Sequence, residues 1–254
     1  MFHVEQWRLR GARRTRPGGE IVAPRGRSGI TRGMKYDAVM FDLDGTLLDT
    51  LEDLADSMNA ALSLAGLPTH GVGAYRRFVG DGVVNLARRA APPRLAGDEG
   101  AVARLVEAMR AQYAERWQAK TRCYDGVPEL LDALASRSIP TAVLSNKPDD
   151  FTRLCVGELL GRWTFGAVRG VRDDTPRKPD PGGALAVAAG VGVPPERWLY
   201  VGDTNTDMRT AAAAGMYAVG ALWGFRDAAE LRASGAAVLI EHPAEVLSLR
   251  DGGG

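Results

Sequence analysis

Residues 36–50, YDAVMFDLDGTLLDT, begin as an apolar run and reach two aspartates, Asp42 and Asp44, that stand two positions apart. The run predicts a buried strand over residues 36–44. Aspartate is depleted in strands and is costly to bury without a partner. The two carboxylates are therefore expected at the carboxyl end of the strand, on the rim of a sheet.

Further short apolar runs have the same character, which is typical of strands that are buried on both faces. They cover residues 139–146, 164–170, 197–203, 217–223 and 236–241. Helical patterns lie between them, over residues 127–137, 180–192 and 206–216. Strands that alternate with helices predict an α/β fold with a Rossmann-like parallel sheet at its core.

One interval in this alternation, between the first and second strands, is too long for a single crossover helix. Residues 50–122 read as one helix after another, and they include the amphipathic stretch AVARLVEAMRAQYAERWQAK. We therefore predict a small helical domain over residues 50–122, inserted into an α/β core that comprises residues 35–49 and 123–250.

The N-terminal segment, residues 1–34, differs in composition from the rest of the chain. Residues 1–35 hold nine Lys and Arg against two Glu and contain many Gly and Pro, without an apolar core. The segment is not a secretory signal, and it is interpreted as a disordered tail or an over-extended start, with an organelle transit peptide as the alternative. It is assigned no function.

Composition narrows the class of protein. The net charge is +1, and because the basic residues are concentrated at the N-terminus, the remainder is acidic, which speaks against nucleic-acid binding. No apolar stretch approaches the ~20 residues needed to cross a bilayer. The two cysteines, Cys123 and Cys155, show no metal-site spacing and indicate reduced thiols in a cytoplasmic protein. A monomer or a homodimer is expected.

Polar clusters fall at the carboxyl ends of the predicted strands or in the loops that follow them. They are Asp42 with Asp44 and Thr46, Ser145 with Asn146, Lys178, and Asp203 with Asp207. In an open parallel sheet the carboxyl ends of the strands share one edge, where ligands bind. The clusters are therefore expected to converge on a single site.

The chemistry of these side chains points to phosphate and a metal. Converging carboxylates repel each other unless a cation neutralises them, and Mg²⁺ is the commonest partner of a few carboxylates plus a substrate phosphate. Lys178 adds a positive charge, and Thr46 and Ser145 add hydroxyl donors. A carboxylate can also act as a nucleophile, with a second carboxylic acid nearby to handle protons.

Each cluster taken alone has a structural explanation. Asp44 could cap a helix from within a turn, and Asp203 with Asp207 could be a capping pair at the start of the Ala-rich helix. The joint occurrence of the clusters at neighbouring strand ends favours one functional site.

The segments FDLDGTLLDT, LSNKP, RKPDP and VGDTNTD resemble, in order, the four motifs of the haloacid dehalogenase superfamily of phosphohydrolases. The likeness covers residues 35–245, and the insert resembles the helical cap of that family. It implies that Asp42 is the nucleophile and a metal ligand, and that Asp44 is the general acid and base, with its backbone carbonyl on the metal.

The same resemblance implies roles for the remaining motif residues. Lys178 would neutralise the nucleophile and the phosphate, Asp203 would ligate Mg²⁺, and Asp207 would support the metal site through water or an indirect bond. The side chains implied to hold the phosphoryl group are Thr46, Ser145 and Asn146.

Flanking segments look most like phosphoglycolate phosphatases, which implies hydrolysis of 2-phosphoglycolate to glycolate and phosphate. The cap loop Gly80-Asp81-Gly82 would then lie over this small phosphorylated substrate and bind it. A β-phosphoglucomutase-like isomerase, a pyrophosphatase and a broad sugar phosphatase remain as alternatives on the same scaffold.

Overall fold

A parallel six-stranded sheet forms the centre of the chain in the computed structural model, which describes residues 36–172 and 176–251. The strands of the chain are β1 (Ala38–Phe41), β2 (Leu48–Asp49), β3 (Arg122–Cys123), β4 (Thr141–Pro148), β5 (Ala167–Val171), β6 (Trp198–Gly202), β7 (Tyr217–Ala221) and β8 (Val238–Ile240). The order across the sheet is β5-β4-β1-β6-β7-β8, with every pair parallel. The predicted α/β fold is confirmed, whereas the predicted leader, residues 1–34, and Lys35 lie outside the described residues.

The apolar run of β1 is explained by burial on both faces of the sheet. Val39 and Phe41 pack into the hydrophobic core on one side, and Ala38 and Met40 pack into the core on the other. The strand ends at Phe41, so Asp42 is the first residue beyond the strand.

Helices cover both faces of the sheet and fill the long insert. They are α1 (Leu51–Leu64), α2 (Val72–Phe78), α3 (Val83–Ala90), α4 (Pro93–Ala96), α5 (Glu99–Arg116), α6 (Val127–Ser136), α7 (Asp149–Leu159), α8 (Gly182–Val191), α9 (Asn205–Ala213), α10 (Ala228–Ala233) and α11 (Glu245–Arg250). In the part of the chain that is described, no helix has both the length and the apolar character required to cross a membrane.

The insert is helical, as the sequence indicated, and lies between β2 and β3. Helices α1 and α5 pack against each other, and α2, α3 and α4 extend this layer. The two short strands pair antiparallel, with Leu48 opposite Cys123 and Asp49 opposite Arg122, and so tie together the two ends of the insert. The division into a cap and a core domain stays a prediction.

Candidate active site

Asp42 lies at the rim of the sheet, immediately after β1, and is only 5% exposed. Its Oδ1 accepts a hydrogen bond from the backbone N–H of Leu43 at 2.7 Å and forms an ion pair with Nζ of Lys178 at 2.9 Å. Lys178 comes from the loop between β5 and α8. The structure therefore brings the predicted nucleophile and the predicted neutralising lysine into direct contact.

The Lys178 ammonium is held between two carboxylates. Besides Asp42, its Nζ donates to Oδ1 of Asp207 at 2.6 Å and to the carbonyl of Leu144 at 3.1 Å. Burial by itself would lower the pKa of Lys178, but the charges of Asp207 and Asp42 outweigh it and raise that pKa well above its usual value. Lys178 therefore remains a cation inside the site.

Asp203 follows β6 and is fully buried. Its Oδ1 accepts from the hydroxyl of Thr46 at 2.8 Å, and its Oδ2 accepts from the backbone N–H of Phe225 at 2.8 Å. Gly45, with a φ of +87°, lies so close that a Cβ there would sit 2.3 Å from Asp203 Oδ2. Only glycine allows this approach, which explains its place between Asp44 and Thr46.

Asp207 combines two tasks in the first turn of α9. Its Oδ2 accepts from the hydroxyl of Thr204 at 2.6 Å and from the Thr204 N–H at 3.1 Å, which completes a capping box. The capping explanation considered from sequence is therefore correct for Asp207, although Asp203 takes no part in the cap. The other Asp207 oxygen remains for Lys178.

Three of the carboxylates form a cluster that could hold a metal ion. Asp42, Asp203 and Asp207 each offer one oxygen, and these oxygens all lie within 4.8 Å of one another. Burial, followed by the charge of Asp207, raises the pKa of Asp42 well above its usual value and the pKa of Asp203 to about 7. A buried set of hard oxygen donors that repel one another fits a divalent cation.

This cluster leads to a prediction about pH and stability. With the pKa of Asp203 raised from 3.8 to about 7, the native metal-free protein keeps a proton between these values that the unfolded chain has lost. The free energy of unfolding therefore falls as pH rises through this window. Because a bound cation offsets the resulting repulsion, we expect Mg²⁺ to raise Tm by ~5 °C at pH 8 and by much less at pH 5.5. Calorimetry with Mg²⁺ and with EDTA measures both shifts.

The Asp203→Asn variant tests this cause, because it removes one of the two carboxyls whose pKa is raised and leaves Asp42 as the other. Its Mg²⁺-dependent shift in Tm should differ less between the two pH values than the shift of the unmodified protein does. Equal shifts at pH 5.5 and pH 8 in the unmodified protein would show that the carboxylate cluster is not where the ion binds.

Asp44 is paired with a lysine that the sequence analysis did not single out. Nζ of Lys147, on β4, donates to the two carboxylate oxygens of Asp44 at 2.9 and 3.1 Å. Burial alone would lower the pKa of Lys147, but the nearby Asp44 charge contributes to raising it well above its usual value. The Asp44 side chain is outside the cluster of three carboxylates, and its predicted metal contact through the backbone carbonyl stays a prediction.

Ser145 and Asn146 lie on β4 beside these groups and are buried. The Asn146 amide accepts from the backbone N–H of Lys178 at 2.9 Å and donates to its carbonyl at 3.1 Å, so it fixes the backbone that carries the lysine. The hydroxyl of Ser145 accepts from the Lys147 N–H at 3.2 Å. The predicted contacts of both residues with a phosphoryl group stay predictions.

The loop Gly80-Asp81-Gly82 is tied to the sheet edge. The Asp81 carboxylate accepts from the Thr206 hydroxyl and pairs with Arg89, and Asn146 donates to the carbonyl of Gly80 at 3.3 Å. Burial alone would raise the pKa of Asp81, but these two hydrogen bonds contribute to lowering it. The structure thus places the loop next to the site, with the Asp81 side chain engaged by protein partners.

Arg226 also anchors this loop, and sequence analysis missed it. Its guanidinium is buried and donates to the carbonyls of Val79, at 2.7 Å, and of Arg76. No local pattern in the sequence signals a contact between residues this far apart along the chain.

A cavity opens beside these groups. Asp42, Asp44, Ser145, Asn146 and Lys147 line its polar end. Apolar side chains line much of the remaining wall, namely Leu54, Val79, Val83, Leu86, Met109 and Phe151. A concave site with a few convergent polar groups is the usual form of a small-molecule site.

Comparisons with known proteins agree on one family. The model of the haloacid dehalogenase-like hydrolases matches residues 36–215. The phosphoglycolate phosphatase of Pseudomonas syringae pv. tomato is 35% identical over 208 residues, which cover 80% of this chain and 75% of that protein. The phosphoglycolate phosphatase of Xanthomonas campestris pv. campestris is 34% identical over 214 residues, or 82% of this chain and 94% of that protein.

A solved structure shows the same architecture. The crystal structure of a candidate phosphoglycolate phosphatase from Lactobacillus delbrueckii subsp. bulgaricus superimposes with a TM-score of 0.80 at 30% identity. The match covers 86% of this chain and all of that one.

Proposed function

Because the chain belongs to the haloacid dehalogenase-like hydrolase family, we propose that it is a Mg²⁺-dependent phosphatase that acts on a small phosphomonoester. The resemblance carried by the four sequence motifs is thereby confirmed at the level of the family. The proposed substrate is 2-phosphoglycolate, on which its named relatives act, and the products are glycolate and phosphate.

The observation that carries this proposal is the environment of Asp42. A carboxylate at the rim of the sheet faces a cavity, is held by the Lys178 ammonium at 2.9 Å, and shares its surroundings with Asp203 and Asp207. A purely structural carboxylate needs no such cluster of like charges. A nucleophile that must approach an anionic phosphoryl group does need cations beside it.

In the proposed first step, Asp42 attacks phosphorus. Among the described residues, the Leu43 N–H and the Lys178 ammonium both bind Oδ1 of Asp42, so we propose that Oδ2 is the oxygen that attacks. A bond forms between Oδ2 and phosphorus while the bond from phosphorus to the ester oxygen breaks. Asp44 gives a proton to that oxygen, which leaves as an alcohol.

In the second step, water replaces Asp42 on phosphorus. Asp44 takes a proton from the water, whose oxygen attacks the aspartyl phosphate and releases phosphate. Asp42 is regenerated, and Asp44 is protonated again for the next turnover. Ser145 is proposed to donate a hydrogen bond to a phosphoryl oxygen in both steps, and Thr46 to do the same by exchanging its hydrogen bond to Asp203 for one to phosphate. Lys178 offsets the negative charge of the phosphoryl oxygens.

The metal ion would be held by Asp42, Asp203 and the backbone carbonyl of Asp44, with Asp207 supporting the site. When bound, it supplies positive charge that keeps these carboxylates ionised and offsets their repulsion with the phosphoryl group. The three buried carboxylates fit Mg²⁺, which prefers oxygen ligands.

A panel of phosphoesters tests the proposed function. With Mg²⁺, the highest kcat/KM for phosphate release is expected for 2-phosphoglycolate, in comparison with pyrophosphate, a hexose 1-phosphate and a nucleoside monophosphate. EDTA should stop the reaction, and added Mg²⁺ should restore it. Preference for pyrophosphate, isomerisation of the hexose phosphate without phosphate release, or activity that ignores EDTA would each contradict the proposal.

The cellular location and the assembly state of the enzyme belong to the same proposal. A cytoplasmic enzyme is inferred from the two free cysteines, Cys123 and Cys155. The expectation of a monomer or a homodimer stays a prediction, which light scattering of the purified protein tests.

A further inference from the structure

Lys147 is a buried cation that the proposed mechanism does not use. Its side chain is only 4% exposed, and its Nζ lies 2.9 Å from the Asp44 carboxylate. It also lines the cavity together with Asp42 and Asp44. Burying an ammonium is expensive, and a carboxylate that must itself exchange protons with substrate and water is an incomplete partner for it.

Within the described residues, Tyr113 provides a buried hydroxyl without a partner at the same place. Nζ of Lys147 lies 4.7 Å from the centroid of the Tyr113 ring, and Tyr113 also lines the cavity. The Tyr113 residue is 3% exposed, and its buried hydroxyl has no hydrogen-bond partner among the described residues. A buried polar atom without a partner is costly, so a ligand that supplies an acceptor would stabilise it.

The position of the ester oxygen decides what could lie next to Lys147. In the proposed reaction this oxygen receives its proton from Asp44, so it must come within hydrogen-bond distance of that carboxylate. A substituent on the carbon that carries the ester oxygen then lies beside the groups that surround Asp44. Since Lys147 contacts Asp44 directly, it is a cation within reach of such a substituent.

In the described part of the chain, the rest of the cavity wall provides no comparably buried cation that could bind this substituent. Among the described residues that line the cavity, the only other basic one is Arg110. Its side chain is 45% exposed and pairs with Asp150 at 3.2 Å. A solvated arginine with a surface partner holds an anion more weakly than a buried ammonium does.

We propose that Lys147 and the hydroxyl of Tyr113 form an anion subsite that binds a carboxylate on the carbon next to the ester oxygen of the substrate. This inference rests on the proposed phosphatase function and explains how the enzyme selects a phosphorylated 2-hydroxy acid over a neutral ester of the same size. Lys147 is thus a specificity-determining residue.

The test compares two substrates that differ in the carboxylate. These are 2-phosphoglycolate and 2-hydroxyethyl phosphate, in which a neutral CH₂OH replaces the carboxylate. Lys147→Gln is expected to lower kcat/KM about 300-fold for 2-phosphoglycolate and about 10-fold for 2-hydroxyethyl phosphate, so that the ratio falls about 30-fold. Lys147→Arg should keep most of the ratio, and Tyr113→Phe should lower it a few-fold.

Arg110→Gln is the matched control, because it removes the other cation that lines the cavity. We expect it to leave the ratio of the two kcat/KM values unchanged. A ratio that falls with Arg110→Gln instead of Lys147→Gln would overturn the proposal. Equal losses for both substrates in Lys147→Gln would also overturn it, since Lys147 would then only arrange Asp44.

Binding provides a readout that does not depend on turnover or on the acid–base role of Asp44. In an Asp42→Asn background with Mg²⁺, calorimetry should show that Lys147→Gln weakens the binding of 2-phosphoglycolate far more than the binding of 2-hydroxyethyl phosphate. Circular dichroism confirms that each variant is folded, and a variant that does not fold is replaced by Lys147→Arg and Tyr113→Phe. If the binding of both ligands is weakened equally, the proposed subsite is refuted.

The unmodified protein separates failure of this inference from failure of the proposed function. If it hydrolyses 2-phosphoglycolate but does not prefer it to 2-hydroxyethyl phosphate, the subsite is refuted and the phosphatase function stands. If it releases no phosphate from 2-phosphoglycolate at all, the proposed substrate is refuted together with the subsite.

Discussion

Replacing Asp42 with asparagine is expected to lower kcat at least about 10,000-fold while the fold stays intact. The amide has nearly the shape of the carboxylate, but it is a poor nucleophile. Folding should not suffer, because burial and the charge of Asp207 already raise the pKa of Asp42. A neutral side chain therefore removes repulsion, and Lys178 keeps its bonds to Asp207 and Leu144. Steady-state phosphate release and thermal unfolding measure the two effects.

Asp37→Asn is the matched control for this experiment. Asp37 lies just before β1, on the surface, and pairs with Arg197 at 2.8 Å, far from the carboxyl end of the strand. The same change of carboxylate to amide should leave kcat unaltered there. Should Asp42→Asn keep more than a few per cent of the activity, Asp42 is not the nucleophile.

Replacing Lys178 with glutamine is expected to damage both stability and rate. The ammonium is buried and contacts Asp42 and Asp207, so its loss leaves two buried carboxylates without their cation. Breaking a buried ion pair in this way costs about 3–5 kcal/mol of the free energy of unfolding. The loss of charge beside the phosphoryl group should lower kcat about 1,000-fold.

Urea unfolding with and without Mg²⁺ tests the electrostatic cause. If repulsion between the carboxylates destabilises Lys178→Gln, Mg²⁺ should restore more stability to the variant than it adds to the unmodified protein. Lys120→Gln is the control, because Lys120 is half-exposed and pairs with Glu52 and Asp56 on the surface. A Lys178→Gln variant that is as stable as this control would show that Lys178 does not stabilise the fold through Asp42 and Asp207.

The sheet could be predicted from sequence because parallel strands buried on both faces appear as compact apolar runs. β1 and β6 were found in this way, and their ends at Phe41 and Gly202 place Asp42 and Asp203 at the rim. The pair β2–β3 was not predicted, because strands of two residues have no periodicity to detect. Helix α7 was not predicted either, although it lies directly after the LSNKP segment.

The convergence of Asp42, Lys178, Asp203 and Asp207 was also predicted, because the carboxyl ends of parallel strands share one edge of the sheet. The contact of Lys147 with Asp44 was not predicted, although strand alternation places Lys147 on the same side as Ser145. The register of β4 shifts between Leu144 and Pro148, so alternation alone does not fix the direction of that side chain. The two residues meet only because β4 pairs with β1 in the folded sheet.

The contacts that anchor the cap loop could not be predicted from sequence either, because they join distant parts of the chain. Arg226 follows β7 and reaches the carbonyls of Arg76 and Val79, and Thr206 reaches Asp81 across the site. These contacts join residues more than a hundred positions apart. They depend on how the helical insert lies over the sheet edge, which composition and periodicity do not encode.

Trapping the phosphorylated enzyme tests covalent catalysis by Asp42 most directly. Acid quenching during turnover of 2-phosphoglycolate with Mg²⁺, followed by borohydride reduction, converts an aspartyl phosphate into homoserine, and peptide mass spectrometry locates it. Homoserine is expected at position 42, and only in enzyme quenched with substrate present. Its absence there while phosphate is being released, or its appearance at position 44 or 203 instead, would contradict nucleophilic attack by Asp42.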